Sequence, residues 1–283
     1  MKLGLLVEVE EGLTWQRWRA VFNAAEALGF ESVWTSDHLC SAWTDARPGL
    51  EAWTALAVAA AETRRIRLGP LVSPVTFREP AIVARMAGSL HGLSQGRFTL
   101  GLGLGWNRAE HAAYGIAFPP LAERARLLRE VARCIDDVPV LIGGMGERST
   151  LPLVAELADE WNMTTASAEV VRQRSTLLAT LCAERGRDPM EIRRSVAVGY
   201  LIGRDAAELR ERSRRLQAWV PPLAEVDIGG VPAKASGMGW LVGTPRQVRQ
   251  QMRELEQAGI ERIIFGHYDL DDGDALEVVS GLA

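Results

Sequence analysis

Eight short apolar runs that alternate with amphipathic helical patterns predict an α/β fold, a single (β/α)8 TIM barrel. Three observations carry the prediction. The alternation runs unbroken from one end to the other, and no composition shift or linker-like stretch divides the chain. Eight strands are more than a doubly wound open sheet usually holds. A length of 283 residues suits one such barrel, so residues 1–283 read as one domain. In that fold the loops after the strands build the functional site, which says where to look for chemistry.

The first strand is Leu3-Gly4-Leu5-Leu6-Val7. Thr14 then caps a helix with Trp18, Val21, Phe22, Ala25 and Leu28 at helical spacing, stopped by Gly29. Ser32–Thr35 is the second strand and Glu51–Thr63 the second helix; the third strand runs from Ile66 to about Val72. Pro80 stands at the first position of a helix, where its missing N–H costs nothing, and that helix ends at Leu93 before Ser94-Gln95-Gly96. Arg97–Gly103 is the fourth strand, followed by a helix over Leu121–Ile135 and a fifth strand at Pro139–Ile142. A helix at about Ser149–Asp159, a short strand at Trp161–Met163 and a helix at about Ala168–Arg185 come next. Ser195–Ile202 is the seventh strand, before a helix at about Ala206–Ala218. The helix Pro245–Ala258 and the strand Arg262–Gly266 close the barrel. Two stretches break the alternation: Asn107–Pro120, polar and aromatic, and Trp219–Gly239, rich in Gly and Pro. Loops of such length are usually lids or binding loops, so a lid at about 219–240 is expected.

Composition excludes several classes. The net charge is −4 with both signs mixed along the chain, so no basic stripe suits a nucleic-acid backbone. Cys40, Cys134 and Cys182 are odd in number and far apart, which fits neither a disulfide framework nor a zinc site and favours a reducing cytoplasm. No run reads as a signal peptide or reaches the roughly 20 apolar residues of a membrane span, and a cytoplasmic location follows as an expectation. With four histidines, two of them on mouth loops, no metal-ligand cluster assembles, and no metal is expected.

Five loops after strands carry unusual residue types. In Ser36-Asp37-His38, a histidine beside an aspartate at a barrel mouth suits proton transfer, with Asp37 orienting His38; loop capping is the equal alternative. Leu71–Pro80 is apolar where a connector should be polar, so either a flat apolar ligand lies on it or it packs on the core. In Gly101-Leu102-Gly103-Leu104-Gly105-Trp106-Asn107, alternate glycines either let a ligand approach the backbone or relieve crowding inside the barrel. Gly143-Gly144-Met145-Gly146-Glu147-Arg148-Ser149 presents backbone N–H groups beside an arginine, which suits a phosphate; a plain turn is the alternative. Gly266-His267-Tyr268-Asp269 places a second histidine at the mouth, as a wall. His91 and His111 fall on helical stretches and read as packing residues. Several of the nine tryptophans fall near strand ends, where they suit a flat heterocycle or the core.

Together Ser36-Asp37-His38, Thr76–Pro80, Gly101–Asn107, Tyr114–Pro120, Gly143–Gly146, Ala158–Asn162 and Val242-Gly243-Thr244-Pro245 resemble the luciferase-like monooxygenase superfamily. They look most like its branch using coenzyme F420, a 5-deazaflavin. The resemblance implies a luciferase-like barrel with the cofactor ring across its mouth. It implies a non-prolyl cis bulge near Leu71-Val72 behind the ring, cofactor phosphate on Gly143–Arg148, and a catalytic role for His38. The cofactor contacts so expected are Leu71, Val72, Gly103, Gly105, Trp106, Asn107, Gly143, Gly144, Met145, Gly146 and Arg148. The implied activity is hydride transfer between F420 and a small-molecule substrate, in reduction of a C=C or C=N bond or in oxidation of an alcohol. An FMN-dependent monooxygenase and a non-catalytic flavin-binding protein are the rival readings. Such barrels pair as homodimers, and neither nucleic acid nor a membrane is an expected partner. Two departures stand out. The helix ending near Ile135 meets the fifth strand almost directly, where relatives carry a longer excursion, so the mouth should be more open or covered by 219–239. Trp106 stands where sugar-phosphate-oxidising relatives place an acidic proton donor.

Overall fold

The structure is a computed structural model that describes residues 1–41, 49–164 and 167–283. The chain opens with β1 (Lys2–Val7), α1 (Trp15–Ala27), β2 (Ser32–Thr35) and α2 (Ala52–Glu62). The third barrel strand is interrupted into β3 (Arg67–Pro70) and β4 (Ser73–Pro74), before α3 (Pro80–Leu93) and β5 (Leu100–Gly103). Then follow α4 (Arg108–Ala113), α5 (Leu121–Arg133), β6 (Val140–Gly143), α6 (Leu151–Leu157), β7 (Glu160–Thr164) and α7 (Ala168–Ala183). The last part comprises β8 (Arg193–Ile202), α8 (Ala206–Trp219), α9 (Val231–Gly237), β9 (Leu241–Gly243), α10 (Pro245–Gln257), β10 (Arg262–Gly266) and α11 (Gly273–Ser280). No helix among the described residues is long and apolar enough to cross a membrane.

All strand pairs are parallel, in the order β3-β2-β1-β10-β8-β7-β6-β5-β4. The ring closes where Leu68 bridges Phe98 and Thr99 N donates to Leu68 O at 2.9 Å. This is the (β/α)8 barrel that the alternation predicts. Helices start where short polar side chains meet the free N–H groups of a first turn: Thr14, Ser167 and Asp205 cap α1, α7 and α8, and Thr244 with Gln247 forms a capping box on α10. The layer between strands and helices is apolar, with Trp18, Phe22, Phe98 and Trp161 wholly buried.

Inside the barrel the contents change with height. At the N-terminal end Arg262 bonds Glu160 at 2.8 Å and Glu31 at 2.8 Å, and its guanidinium lies 5.6 Å from the Trp34 ring. Charges so deep are tolerated because each is paired. Above them Trp34, Leu141, Ala197 and Ile264 form an apolar plug, against which Leu6, Leu71 and Val72 rest.

Three elements differ from the sequence reading. The stretch 107–120 contains the short helix α4, capped by Asn107. The segment 219–240 is folded: a 3-10 turn at Pro221–Leu223 and α9 bury Val220, Leu223, Val231, Ala235 and Trp240 with Leu201 and Leu216. Its apolar residues are spaced to bury themselves, so it packs beside the extension of β8, where β9 pairs with Tyr200–Ile202. The third difference is α11, whose alternation resumes after the last strand.

The interruption of the third strand shapes the mouth. The Leu71-Val72 peptide is cis, and the Val72 side chain reaches toward β5 and β6. A Cβ on Gly103 would stand 2.5 Å from one Val72 methyl, and a Cβ on Gly143 2.8 Å from the other. A Cβ on Gly101 would lie 2.0 Å from Pro70 O. The alternate glycines therefore serve packing at positions 101 and 103, and Gly103 also borders the cleft described below. Gly103→Ala is expected to lower denaturant stability by about 1–3 kcal/mol through overpacking. Combined with Val72→Ala, the loss should be smaller than the sum of the single losses. Additive losses would show that the two side chains do not compete for one space.

Candidate active site

A cleft of about 360 Å³ opens at the C-terminal ends of the strands. Leu6, Leu71, Val72 and Pro74 give it an apolar floor; His38, Gly105 and Trp106 stand on one side, and Gly143, Gly144, Thr150 and Asn162 on the other. Gly105 and Gly144 have φ of 77° and 125°, a region that disfavours side chains. Of the residues expected at the site, His38, Leu71, Val72, Gly103, Gly105, Trp106, Gly143 and Gly144 line this cleft.

The others do not line it. Asn107 is spent on α4, where its side chain accepts from Glu110 N and its carbonyl meets His111 Nδ1 at 2.7 Å. Met145 packs half-buried against the main core. Gly146 shapes the turn, its carbonyl accepting from Thr150 N and Leu151 N at 2.9 Å each. Arg148 is exposed beside that turn. The backbone N–H groups of Met145 to Ser149 meet no backbone carbonyl among the described residues. That row of free donors is what an anion needs.

Asp37 corrects the sequence reading. It is buried, and it accepts from Trp53 Nε1 at 3.0 Å, Ser73 Oγ at 2.5 Å and Arg78 Nη1 at 2.6 Å. It ties α2 and β4 to the end of β2. Neighbours along an extended chain point to opposite sides, so Asp37 faces the packing and His38 the cleft.

The partner of His38 is Glu110 from α4, with Nδ1 3.0 Å from Oε2. Glu110 is itself fixed by Leu39 N at 2.5 Å, and Tyr114 donates to Leu39 O at 2.6 Å, so α4 clasps the histidine loop. The His38 ring also meets Trp106 edge-on, with centroids 5.6 Å apart. Burial opposes charging His38. The hydrogen bond to Glu110 and the charges of Glu10, Glu110 and Asp37 outweigh it and raise its pKa above the ordinary 6.5. Burial raises the Glu110 pKa less than His38 and the backbone N–H groups lower it, so it stays ionised. The pair places an imidazole whose protonated form Glu110 favours at the edge of an apolar cleft.

Sequence reasoning missed both Glu110 and the carboxylates after β1. Glu10 accepts from Ser36 Oγ at 2.5 Å, and Glu8, Glu10 and Glu11 bring carboxylate oxygens within 4.8 Å of one another. The expectation that no ligand-like cluster assembles overlooked this group. Its signal was available: three acids directly after a barrel strand. His267, expected as a wall of the mouth, is buried and does not line this cleft; its Nδ1 lies 2.7 Å from Tyr200 Oη, and burial pushes its pKa down to about 4. His111 bridges Asn107 O and Thr76 Oγ1, and His91 meets Phe98 O, both in packing roles.

His38 is expected to titrate above 6.5 by side-chain NMR, and Glu110→Gln to bring it below, because burial then dominates. The sign for stability follows: the pair's contribution is complete below 6.5 and is lost as pH rises through the folded value. An unchanged midpoint in Glu110→Gln would remove Glu110 as the controlling partner.

The family described as luciferase-like monooxygenase matches residues 1–138 and 132–262. A 5,10-methylenetetrahydromethanopterin reductase of Methanolobus tindarius is 28% identical over 294 residues, covering 86% of this chain and 87% of that protein. A solved F420-dependent secondary alcohol dehydrogenase, in complex with an F420-acetone adduct, superposes with a TM-score of 0.80 at 19% identity, covering 100% of this chain and 98% of that one. The oxygenating constituent of 3,6-diketocamphane monooxygenase from Pseudomonas putida, with FMN, gives 0.77 at 17% identity, covering 99% and 97%. Fold and family model agree, and the chain belongs to the luciferase-like monooxygenase family of oxidoreductase enzymes.

Proposed function

We propose that the chain is an F420-dependent oxidoreductase that moves a hydride between the deazaflavin and a small organic substrate, reducing a C=C or C=N bond. The observation that carries this reading is the His38–Glu110 pair on one side of an apolar cleft whose far side leads to the free N–H groups of Met145–Ser149. A flat ring with an anionic tail fits those residues. Leu71 and Val72 offer a flat apolar floor for the ring; Gly144, Thr150 and the following N–H groups suit its phosphate. When bound, the deazaflavin supplies the hydride at its C5. The chain's own residues do the rest. The cleft orients the substrate and excludes water from it. His38 holds a proton on its imidazolium, and Glu110 fixes the ring and restores its charge state after each transfer. The F420-dependent relatives support this cofactor; the FMN-bound neighbour supports an FMN monooxygenase as the second reading.

Fluorescence quenching with oxidised F420 and with FMN tests the reading on the purified protein. Expected is micromolar binding of F420, weakened at least about tenfold, roughly 1.4 kcal/mol, in Gly144→Asp. That substitution strains a positive φ, crowds Thr150 and brings a negative charge to the loop. His38→Ala should slow turnover by about 100-fold or more with F420 binding retained. Preference for FMN would move the chemistry toward oxygen, and binding of neither would sink both enzymatic readings. Binding of F420 with full activity in His38→Ala would remove the histidine from proton transfer.

A further inference from the structure

One tryptophan of the cleft has no work in the fold. Trp18, Trp34, Trp53 and Trp161 are buried, and each donates its indole N–H to a protein acceptor at 2.8 to 3.0 Å. Trp106 lines the cleft, is 67% exposed, and its indole N–H meets no acceptor among the described residues. A single apolar side chain on an open surface needs no explanation, but on the wall of a cleft it meets whatever the cleft binds.

Its neighbours say what that ligand is. The Trp106 and His38 rings stand 5.6 Å apart between centroids with their planes at 73°. Rings so nearly perpendicular do not stack, and the exposed indole keeps a flat surface on which another ring can lie. His38 spends Nδ1 on Glu110 at 3.0 Å, which leaves Nε2 as the nitrogen that can give a proton to a substrate. The reacting atom must therefore come to Nε2, beside the indole.

The rest of the lining fixes the charge of the ligand. Leu6, Leu71, Val72, Pro74 and Leu104 are apolar, and apart from His38 no residue that lines the cleft carries a formal charge. The charges around His38 are the carboxylates of Glu10, Glu110 and Asp37. A carboxylate or phosphate on the substrate would find no guanidinium or ammonium in the lining and would face those acids, so its desolvation would go uncompensated.

We propose that Trp106 selects the substrate: an uncharged molecule whose C=C or C=N bond is conjugated with a planar ring. The ring stacks on the indole while the bond reaches His38 Nε2. The inference rests on the hydride-transfer reading and adds the substrate class to it. One atom of the double bond gains the hydride, with its electron pair, from the reduced deazaflavin. The π pair moves to the neighbouring atom, which takes the proton from His38 Nε2. Trp106 forms no bond; it holds the plane of the substrate, and with it the face of the π system that the hydride must approach.

The test is fluorine NMR on the full chain labelled with 5-fluorotryptophan, at saturating oxidised F420, during titration with cinnamamide, crotonamide and cinnamate. The Trp106 signal among those of the nine tryptophans is the one missing from Trp106→Phe. Expected is a shift of that signal on adding cinnamamide. Its affinity should be about tenfold above that of crotonamide, which lacks the ring, and that of cinnamate, which is an anion. By calorimetry, Trp106→Ala should weaken cinnamamide about tenfold, and Trp106→Phe, which keeps a flat face, should weaken it less. No binding of cinnamamide, an unmoved Trp106 signal at saturation, or equal affinities for cinnamamide and crotonamide would overturn the stacking. Cinnamate bound as tightly as cinnamamide would overturn the selection against charge. Weaker F420 binding in Trp106→Ala with cinnamamide affinity unchanged would make the indole a wall of the cofactor and overturn the proposal. Absence of F420 binding would sink the hydride-transfer reading, while the same titration of the protein alone still decides whether Trp106 takes a flat neutral ring.

Discussion

The mouth of this barrel depends on one steric arrangement: Val72 occupies space that glycines on two other strands leave open. Every barrel strand must fill the interior, and seven of the eight do so without interruption in their pairing. The third breaks between β3 and β4, and its Val72 methyls fit against Gly103 and Gly143. The result is a floor of Leu71 and Val72 on the strand ends, level with Leu6. Larger residues at 103 or 143 would push that floor up into the cleft.

On that floor the two sides of the cleft carry opposite electrostatics. One side gathers acids, with Glu110 beside His38 and Glu8, Glu10 and Glu11 behind it. The other leads to the backbone N–H groups of Met145 to Ser149. Under the proposed function, a ligand with an anionic tail would lie with its tail toward the 143–149 loop and its reacting end toward His38. Two carboxylates close in sequence or space have different work. Asp37 is held by Trp53, Ser73 and Arg78 and fixes the backbone from which His38 projects. Glu110 reaches the ring itself and sets its charge. The separation lets one loop be anchored through Asp37 while His38 lines the cleft.

The barrel was legible because its signal is repeated: eight alternations constrain one another, so an uncertain boundary at one strand does not alter the topology. The polar cap Thr14 located the start of α1 to within a residue. The mouth was legible wherever a residue's place follows from its own strand, as with His38, Val72 and Gly143. It was not legible where two distant segments meet. Glu110 lies on a short helix inside a stretch without periodicity, and nothing in its local sequence says that it reaches His38. The assignment of Asp37 failed for the same reason, since adjacency in sequence was taken for adjacency in space. The segment 219–240 misled through its Gly and Pro content, while Val220, Leu223, Val231 and Ala235 already contained the pattern of a buried turn and helix.

The most direct measurement is a crystal structure of the protein with oxidised F420. The deazaflavin ring should lie on Leu71 and Val72 with its C5 edge toward His38, and the phosphate should meet the backbone N–H groups between Gly143 and Ser149. A ring bound away from His38, or a tail that leaves the cleft past Glu8 and Glu10, would contradict the assignment of the cleft, its polarity and the proton donor together.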